Sequence, residues 1–211
     1  MPEINRRTAM GAGLGISAFT TAGTSTATTS YPRSDQTMNH PHLFNLADSP
    51  ATVVEGGSLR GAHEQNFPVL KGQNGSVYLI RLDVGGVREP HWHPTAWELN
   101  YVISGKVKWT ILGTHPDGSY HRDTFDAGQG DLVFAPQGFF HYFENLSETE
   151  PLDVLVIFNS STQEPNDDIG IVGTFNSMPR EVLAACFGVP AAAFDQIPRE
   201  IKPVVITRRH K

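Results

Sequence analysis

The sequence predicts an all-β fold, a single small antiparallel barrel followed by short helices. Three observations carry that expectation. Short apolar runs recur between Val77 and Phe158, each bounded by Gly, Pro or Asn, which is the rhythm of sandwiches and barrels. Residues 106–111 alternate cleanly, with Val107, Trp109 and Ile111 on one face and Lys106, Lys108 and Thr110 on the other. That is the period of a strand with one buried side. Helical spacing emerges only from Ser177 onward.

The elements follow in order. Residues 36–75 lead into the barrel, and Phe44, Leu46 and the Gly56-Gly57 turn fit an early strand and loop. Residues 77–84 form a strand that ends at Gly85-Gly86. The next strand carries His91 and His93, which project to one side while Trp92 points to the other. Residues 94–97 make a short loop, Glu98 opens the strand over 98–103, and Ser104-Gly105 turns it into 106–111. Asp117-Gly118 is a hairpin signal. Further strands are expected over 120–125, 132–135, 139–144 and 152–158, with Pro136-Gln137-Gly138 turning into the third of these. Residues 159–171 are too polar for the core. A helix then starts with Ser177 as N-cap and ends with Gly188 as C-cap, and a second short helix covers 191–197. These helices are expected to pack outside the barrel or clasp a neighbouring subunit.

Composition narrows the function classes. The chain has 211 residues, 39% apolar and 18% charged, which suits one folded domain with a real core. Its formal charge of −6 argues against nucleic acid or an anionic membrane as partner. The single cysteine, Cys186, excludes an internal disulfide, and its place beside Val182, Leu183 and Phe187 predicts a packed thiol. Residues 1–35 differ from the rest. Arg6-Arg7 precede a run of small and apolar residues over 8–22, and a Thr/Ser/Ala-rich stretch follows. This predicts a twin-arginine export signal, with Ser25-Thr26-Ala27 suited to cleavage and a periplasmic or extracellular destination. A disordered leader is the plainer alternative. The apolar run is too short and mild for a membrane span. The barrel domain is then 36–211, with helices from about residue 177.

Two spaced strings carry the chemistry. The first runs Gly85, five residues, His91, one residue, His93, four residues, Glu98, six residues, Gly105. The second runs Gly130, five residues, Pro136, one residue, Gly138, two residues, His141, three residues, Asn145. Three imidazoles and one carboxylate on strand-like segments can converge only if the sheet curls, and a barrel mouth is a usual ligand site. His91, His93, Glu98 and His141 are therefore the expected ligands of one metal ion. His40, His42, His63, His115, His121 and His210 fit no such spacing and read as surface or loop residues. Four protein donors would nearly saturate zinc, whereas mixed nitrogen and oxygen donors with open positions suit manganese or iron. Arg88 lies three residues before His91, where a guanidinium could grip a carboxylate. The plainer alternative is a surface arginine paired with Glu89.

With both strings intact, the chain resembles a cupin. The stretch GGVREPHWHPTAWELNYVISGKVKWTIL is similar to half of an oxalate decarboxylase, as are GDLVFAPQGFFHYFENL and PREVLAACFGVPAAAFDQIP. Oxalate decarboxylases usually carry two such units. One pair of motifs is found here, so a two-site architecture would need self-association.

The resemblance implies a jelly-roll barrel, Mn(2+) with Fe(2+) or another divalent ion as alternatives, and dioxygen as a redox helper. It implies a small carboxylic acid substrate and a homo-oligomer. It places Arg88 in the substrate pocket and asks for a proton-carrying glutamate on a lid after the last barrel strand. Glu164 matches best, although the local spacing departs from the family and Pro165 stiffens the segment. The second acid of two-unit relatives corresponds to Val156 and is absent. The implied reaction is decarboxylation of oxalate to formate and carbon dioxide. An oxalate oxidase releasing hydrogen peroxide is the near alternative. Another small-acid enzyme, or a non-catalytic germin-like or storage cupin, is the further one. Trp97, Phe134, Phe139 and Phe143 are bulky enough to shape the barrel mouth, with their facing left open.

Overall fold

The computed structural model describes residues 40–114, 116–164, 166–199 and 206–209. The expectations for the leader, His115, Pro165 and His210 lie outside those residues. The strands are β1 (Thr52–Val54), β2 (Gly57–Ala62), β3 (Ser76–Leu82), β4 (Gly86–Trp92), β5 (Glu98–Ser104), β6 (Lys106–Thr114), β7 (Tyr120–Gly128), β8 (Leu132–Ala135), β9 (Phe140–Asn145), β10 (Leu152–Phe158), β11 (Ile169–Gly170) and β12 (Ile206–Arg208). Two short helices, α1 (Ile171–Asn176) and α2 (Arg180–Phe187), separate β11 from β12.

One sheet has the order β1-β2-β3-β10-β5-β8. The other runs β11-β4-β9-β6-β7, with β12 also paired to β4. Every ladder is antiparallel. The two inner faces follow from alternation. Leu152, Val154, Val156 and Phe158 of β10 point inward from one sheet, and Val107, Trp109 and Ile111 of β6 from the other. Trp109 stacks on Phe143 of β9, with ring centroids 4.4 Å apart. Truncating either ring to alanine would cost about 3–5 kcal/mol. This is the antiparallel sandwich that the strand rhythm predicts and the jelly-roll arrangement that the family resemblance implies.

Two motif glycines sit where only glycine is comfortable. Gly105 turns β5 into β6 at φ +90°, and a Cβ there would lie 2.9 Å from the Pro151 carbonyl oxygen. Gly138 adopts φ +77° before β9, and its N–H donates to the His93 carbonyl at 2.9 Å. That bond ties the second string to the first. Asn145, which closes the second string, is a clamp. Its buried amide donates to the carbonyls of Leu82, Asp83 and Glu150 and accepts from the Ser147 N–H.

Several expectations need correction. Cys186 is exposed, because α2 turns Leu183 inward and leaves Val182 and Cys186, four residues apart, on its outer side. Helix α2 begins at Arg180 behind Pro179, while Ser177 closes α1 and donates its hydroxyl to the Thr174 carbonyl at 2.7 Å. Gly188 does end α2 in the left-handed region. The second helix is a single 3-10 turn, Ala191–Phe194. His63 is buried, stacked on Tyr78. The polar run after β10 leaves Thr162, Gln163 and Asn166 exposed but turns Ser161 and the Asp168 side chain inward, where they are buried. Among the described residues no helix is long and apolar enough to cross a membrane.

Candidate metal centre and its pocket

His91 and His141 face each other on neighbouring strands β4 and β9. His93 follows one residue past the end of β4, and Glu98 opens β5 on the opposite sheet. The carboxylate therefore reaches across the barrel to the imidazoles. All four side chains are buried, and their donor atoms lie within 4.8 Å of one another. Glu98 Oε2 is 3.1 Å from Nε2 of both His93 and His141 and 3.9 Å from Nε2 of His91.

The outer ring nitrogens fix the tautomers. Nδ1 of His91 bonds the Glu89 carbonyl at 2.7 Å, Nδ1 of His141 the Phe139 carbonyl at 2.9 Å, and Nδ1 of His93 the Asp167 carbonyl at 2.9 Å. A carbonyl can only accept, so each Nδ1 carries the proton and each Nε2 is left to bind a cation. Three imidazole nitrogens and one carboxylate form the donor set of a metal-binding site. Glu98 Oε1 is buried and has no hydrogen-bond partner among the described residues, as a ligand atom awaiting a cation would be.

Without a cation these charges settle among themselves. Burial, with Arg88 nearby, pushes His91 down to about 3. Burial also works against a charged His93, but the hydrogen bond and charge of Glu98, with Glu164 and Asp168 adding to them, hold it up to about 9. Burial would raise Glu98, yet His141 and the hydrogen bonds from the other imidazoles hold it well below the carboxylate range. Metal binding must therefore displace a proton from His93.

Arg88 reaches this site through a distortion. On a regular strand, residues three apart face opposite sides, so Arg88 and His91 could not both point inward. The β4–β9 register slips between Arg88 and His91, and this bulge, which contains Pro90, turns both inward. Arg88 is 3% exposed, so it is not a surface arginine. Its Nη2 donates to the Asp168 carboxylate, and its Nη1 lies 3.8 Å from Glu89 Oε1 with no hydrogen-bond partner among the described residues. Glu164 turns in from the opposite wall, with Oε1 3.3 Å from His93 Nδ1 and Oε2 buried without a hydrogen bond among the described residues. Burial pushes its carboxyl up to about 7, against the pull of His93 and Arg88.

Arg88, His91, Glu98 and Glu164 share a chamber of about 10 Å³ with Leu59, Tyr78, Ile80 and Phe158. That is room for about one water. All six residues singled out in the sequence thus meet at one place. The bulky candidates do not shape it. Phe143 is core, Phe134 lies on the outer face in contact with Trp97, and Phe139 packs over Gly113. Asp167, Asp168 and Tyr78 were not foreseen. Tyr78 was within reach, because Arg81 must face out of β3 and so Tyr78, Ile80 and Leu82 must face in.

Residues 44–193 match the sequence model of the cupin family, and the chain belongs to that family. An oxalate decarboxylase of Arthroderma benhamiae is 30% identical over 184 residues, covering 86% of this chain and 41% of the relative. A solved structure of Bacillus subtilis oxalate decarboxylase, described for its Mn(II) centers, aligns with TM-score 0.66 at 28% identity over 79% of this chain and 41% of that one. A germin-like protein of Arabidopsis thaliana, subfamily T member 3, is 27% identical over 159 residues, covering 74% of this chain and 68% of the relative. The chain therefore spans about two fifths of the length of the decarboxylases it matches.

Proposed function

We propose that the protein is a manganese-dependent enzyme that splits oxalate into formate and carbon dioxide. One observation carries the reading. A buried guanidinium nitrogen, Arg88 Nη1, and a buried carboxyl oxygen, Glu164 Oε2, lack hydrogen bonds among the described residues and border one small chamber beside the three-histidine, one-glutamate cluster. A cation beside a guanidinium calls for an anion; the closed chamber has room for about one water, so a two-carbon acid such as oxalate would enter only as the 162–164 segment moves outward. The similarity to oxalate decarboxylases supports the same choice.

In this scheme His91, His93, Glu98 and His141 hold the cation, which supplies Lewis acidity and, with dioxygen, a one-electron route. Arg88 grips the distal carboxylate and stabilises charge that develops as the carbon–carbon bond breaks. Glu164, a carboxyl that can exist in either protonation state near neutrality, takes the proton of the acid and returns it to carbon. The oxalate monoanion thereby gives one carbon dioxide and one formate. Leu59, Ile80 and Phe158 keep water from the reacting carbon.

The test is a product assay on manganese-loaded protein supplied with oxalate and dioxygen. Formate in step with carbon dioxide is expected. Hydrogen peroxide would mark an oxidase, and neither product would favour a larger acid or a binding role.

We also propose that the chain self-associates through the outer face of β5 and β8, where Tyr101, Leu132 and Phe134 are exposed. Sedimentation should show an oligomer that Leu132→Asp weakens, and a monomer at all concentrations would end that proposal.

A further inference from the structure

We propose that Tyr78 is a positioning residue, a latch whose phenol holds the backbone beside Glu164 shut between the metal chamber and an outer cleft through which ligands arrive. The role in turnover rests on the function proposed above; the latch itself does not.

A phenol is out of place on this face of β3. It shares the inward row with Ser76, Ile80 and Leu82, and it is only 2% exposed. A buried hydroxyl needs partners, and this one finds them 84 and 86 residues further along the chain. It accepts the Glu164 N–H at 2.7 Å and donates toward the Thr162 carbonyl at 3.4 Å. Both partners are backbone, so the phenol grips the segment whatever its side chains do. Burial pushes its pKa up to about 12, so it keeps the proton it donates.

The ring is seated for the task. It meets Phe158 edge-on with centroids 5.7 Å apart and stacks on His63 at 6.4 Å. Its partner across the ladder is Gly61, where a Cβ would lie 2.4 Å from the ring. The glycine thus provides the space that the ring occupies.

The segment's two ends are held elsewhere. Ser161 exchanges bonds with Glu64, through its carbonyl at 2.9 Å and its hydroxyl at 2.7 Å. Asp167 holds the Thr95 N–H and His93, and Asp168 holds Arg88. Between these anchors, Tyr78 ties the backbone of 162–164 to the barrel.

What lies on each side gives the latch its meaning. Outside is a cleft of about 480 Å³ whose lining includes Phe44, Asn45, His63 and Asn66; inside is the chamber of about 10 Å³. Leu59, Tyr78 and Glu164 line both. Among the described residues the cleft lining contains no Lys or Arg and includes Asp48 and Glu164. Such a surface would not retain a small anion, and Arg88 would be the first guanidinium it meets. Passage requires the 162–164 backbone to leave the phenol.

Tyr78→Phe tests this in the full-length, manganese-loaded protein, because it removes one oxygen and keeps the ring. Two readouts are independent of turnover. Amide exchange in residues 160–168 should quicken about three- to tenfold, the weight of one hydrogen bond, and release of manganese to a chelator should quicken with it. Exchange in β6 should be unchanged. If the protein turns over oxalate, the variant should also give more peroxide per formate, since Glu164 is held less firmly. Unchanged exchange and unchanged metal release overturn the latch. Failure of wild type and variant alike to consume oxalate overturns the proposed function while the exchange result still decides the latch. Should the variant not fold, the wild-type protein decides: its Glu164 amide must exchange slowly, and exchange as fast as in an unstructured peptide overturns the proposal.

Discussion

Replacing Arg88 by methionine would leave Asp168 buried beside an apolar stem. The two side chains are 4% and 1% exposed in the pair, so water cannot take the place of the guanidinium while the segment stays closed. Removing one partner of a buried pair costs about 3–5 kcal/mol. A domain of this size loses about 2–4 °C in Tm for each kcal/mol, so a fall of about 6–20 °C is expected. The upper end is capped, because the segment carrying Asp168 can swing outward once its cost of opening is the smaller. Asp168→Asn should cost less, about 1–3 kcal/mol, because Glu89 remains 3.8 Å from the guanidinium. Changing both residues, Arg88→Met with Asp168→Leu, should recover most of the loss, since apolar replacements for a buried pair are often neutral.

The assay is thermal unfolding, at one pH, of wild type, Arg88→Met, Asp168→Asn, Asp168→Leu and the double variant, with metal stoichiometry measured alongside. Bound metal should be retained, because Arg88 is not a donor, while turnover should be lost. Additive losses in the double variant, or an Arg88→Met protein that melts within about 2 °C of wild type, would show that the pair carries no coupling.

Two further outcomes follow from the site and a third from the N-terminal sequence. In the metal-free protein His93 is raised from 6.5 to about 9, so its stabilising effect is full below about pH 6.5 and is lost as pH rises toward 9. Metal-free Tm should fall over that window while the gain on adding manganese grows, because the cation needs the neutral ring; a metal-free Tm that rises there would contradict the assignment. Glu98, held low, acts in the opposite sense, and its contribution disappears only as pH drops below the carboxylate range. Glu98→Gln removes the one anionic donor and should weaken manganese binding by at least about 10–100-fold, seen as loss of metal on dialysis with the β-rich circular dichroism intact. We propose export by a twin-arginine route from Arg6-Arg7, so lysine at both positions should leave the protein in the cytoplasm on fractionation, and unchanged export would end that proposal.

The parts legible in the sequence are those set by short-range rules. Alternation placed Val107, Trp109 and Ile111 inward, and a strand on either side of Gly105 and before Gly138 needs little more than turn chemistry. The four donors were legible because a strand fixes the facing of His91 relative to His93 and the spacing does the rest. Arg88 was harder. Strict alternation puts it on the wrong side of β4, and only the register slip at Pro90 brings it beside the ligands; a bulge depends on the partner strand and leaves a faint local trace. The segment after β10 misled for the opposite reason. Its polarity reads as solvent exposure, but the Asp168 carboxylate meets the buried guanidinium of Arg88, and the Asp167 carboxylate accepts from the Thr95 N–H. A buried acid is indistinguishable from an exposed one until its partner is known, and here the partners lie 72 to 80 residues earlier. That separation also bears on function: Asp168 anchors the segment through Arg88 Nη2, while Nη1 has no hydrogen bond among the described residues, so Nη1 would meet a substrate with the anchor still in place.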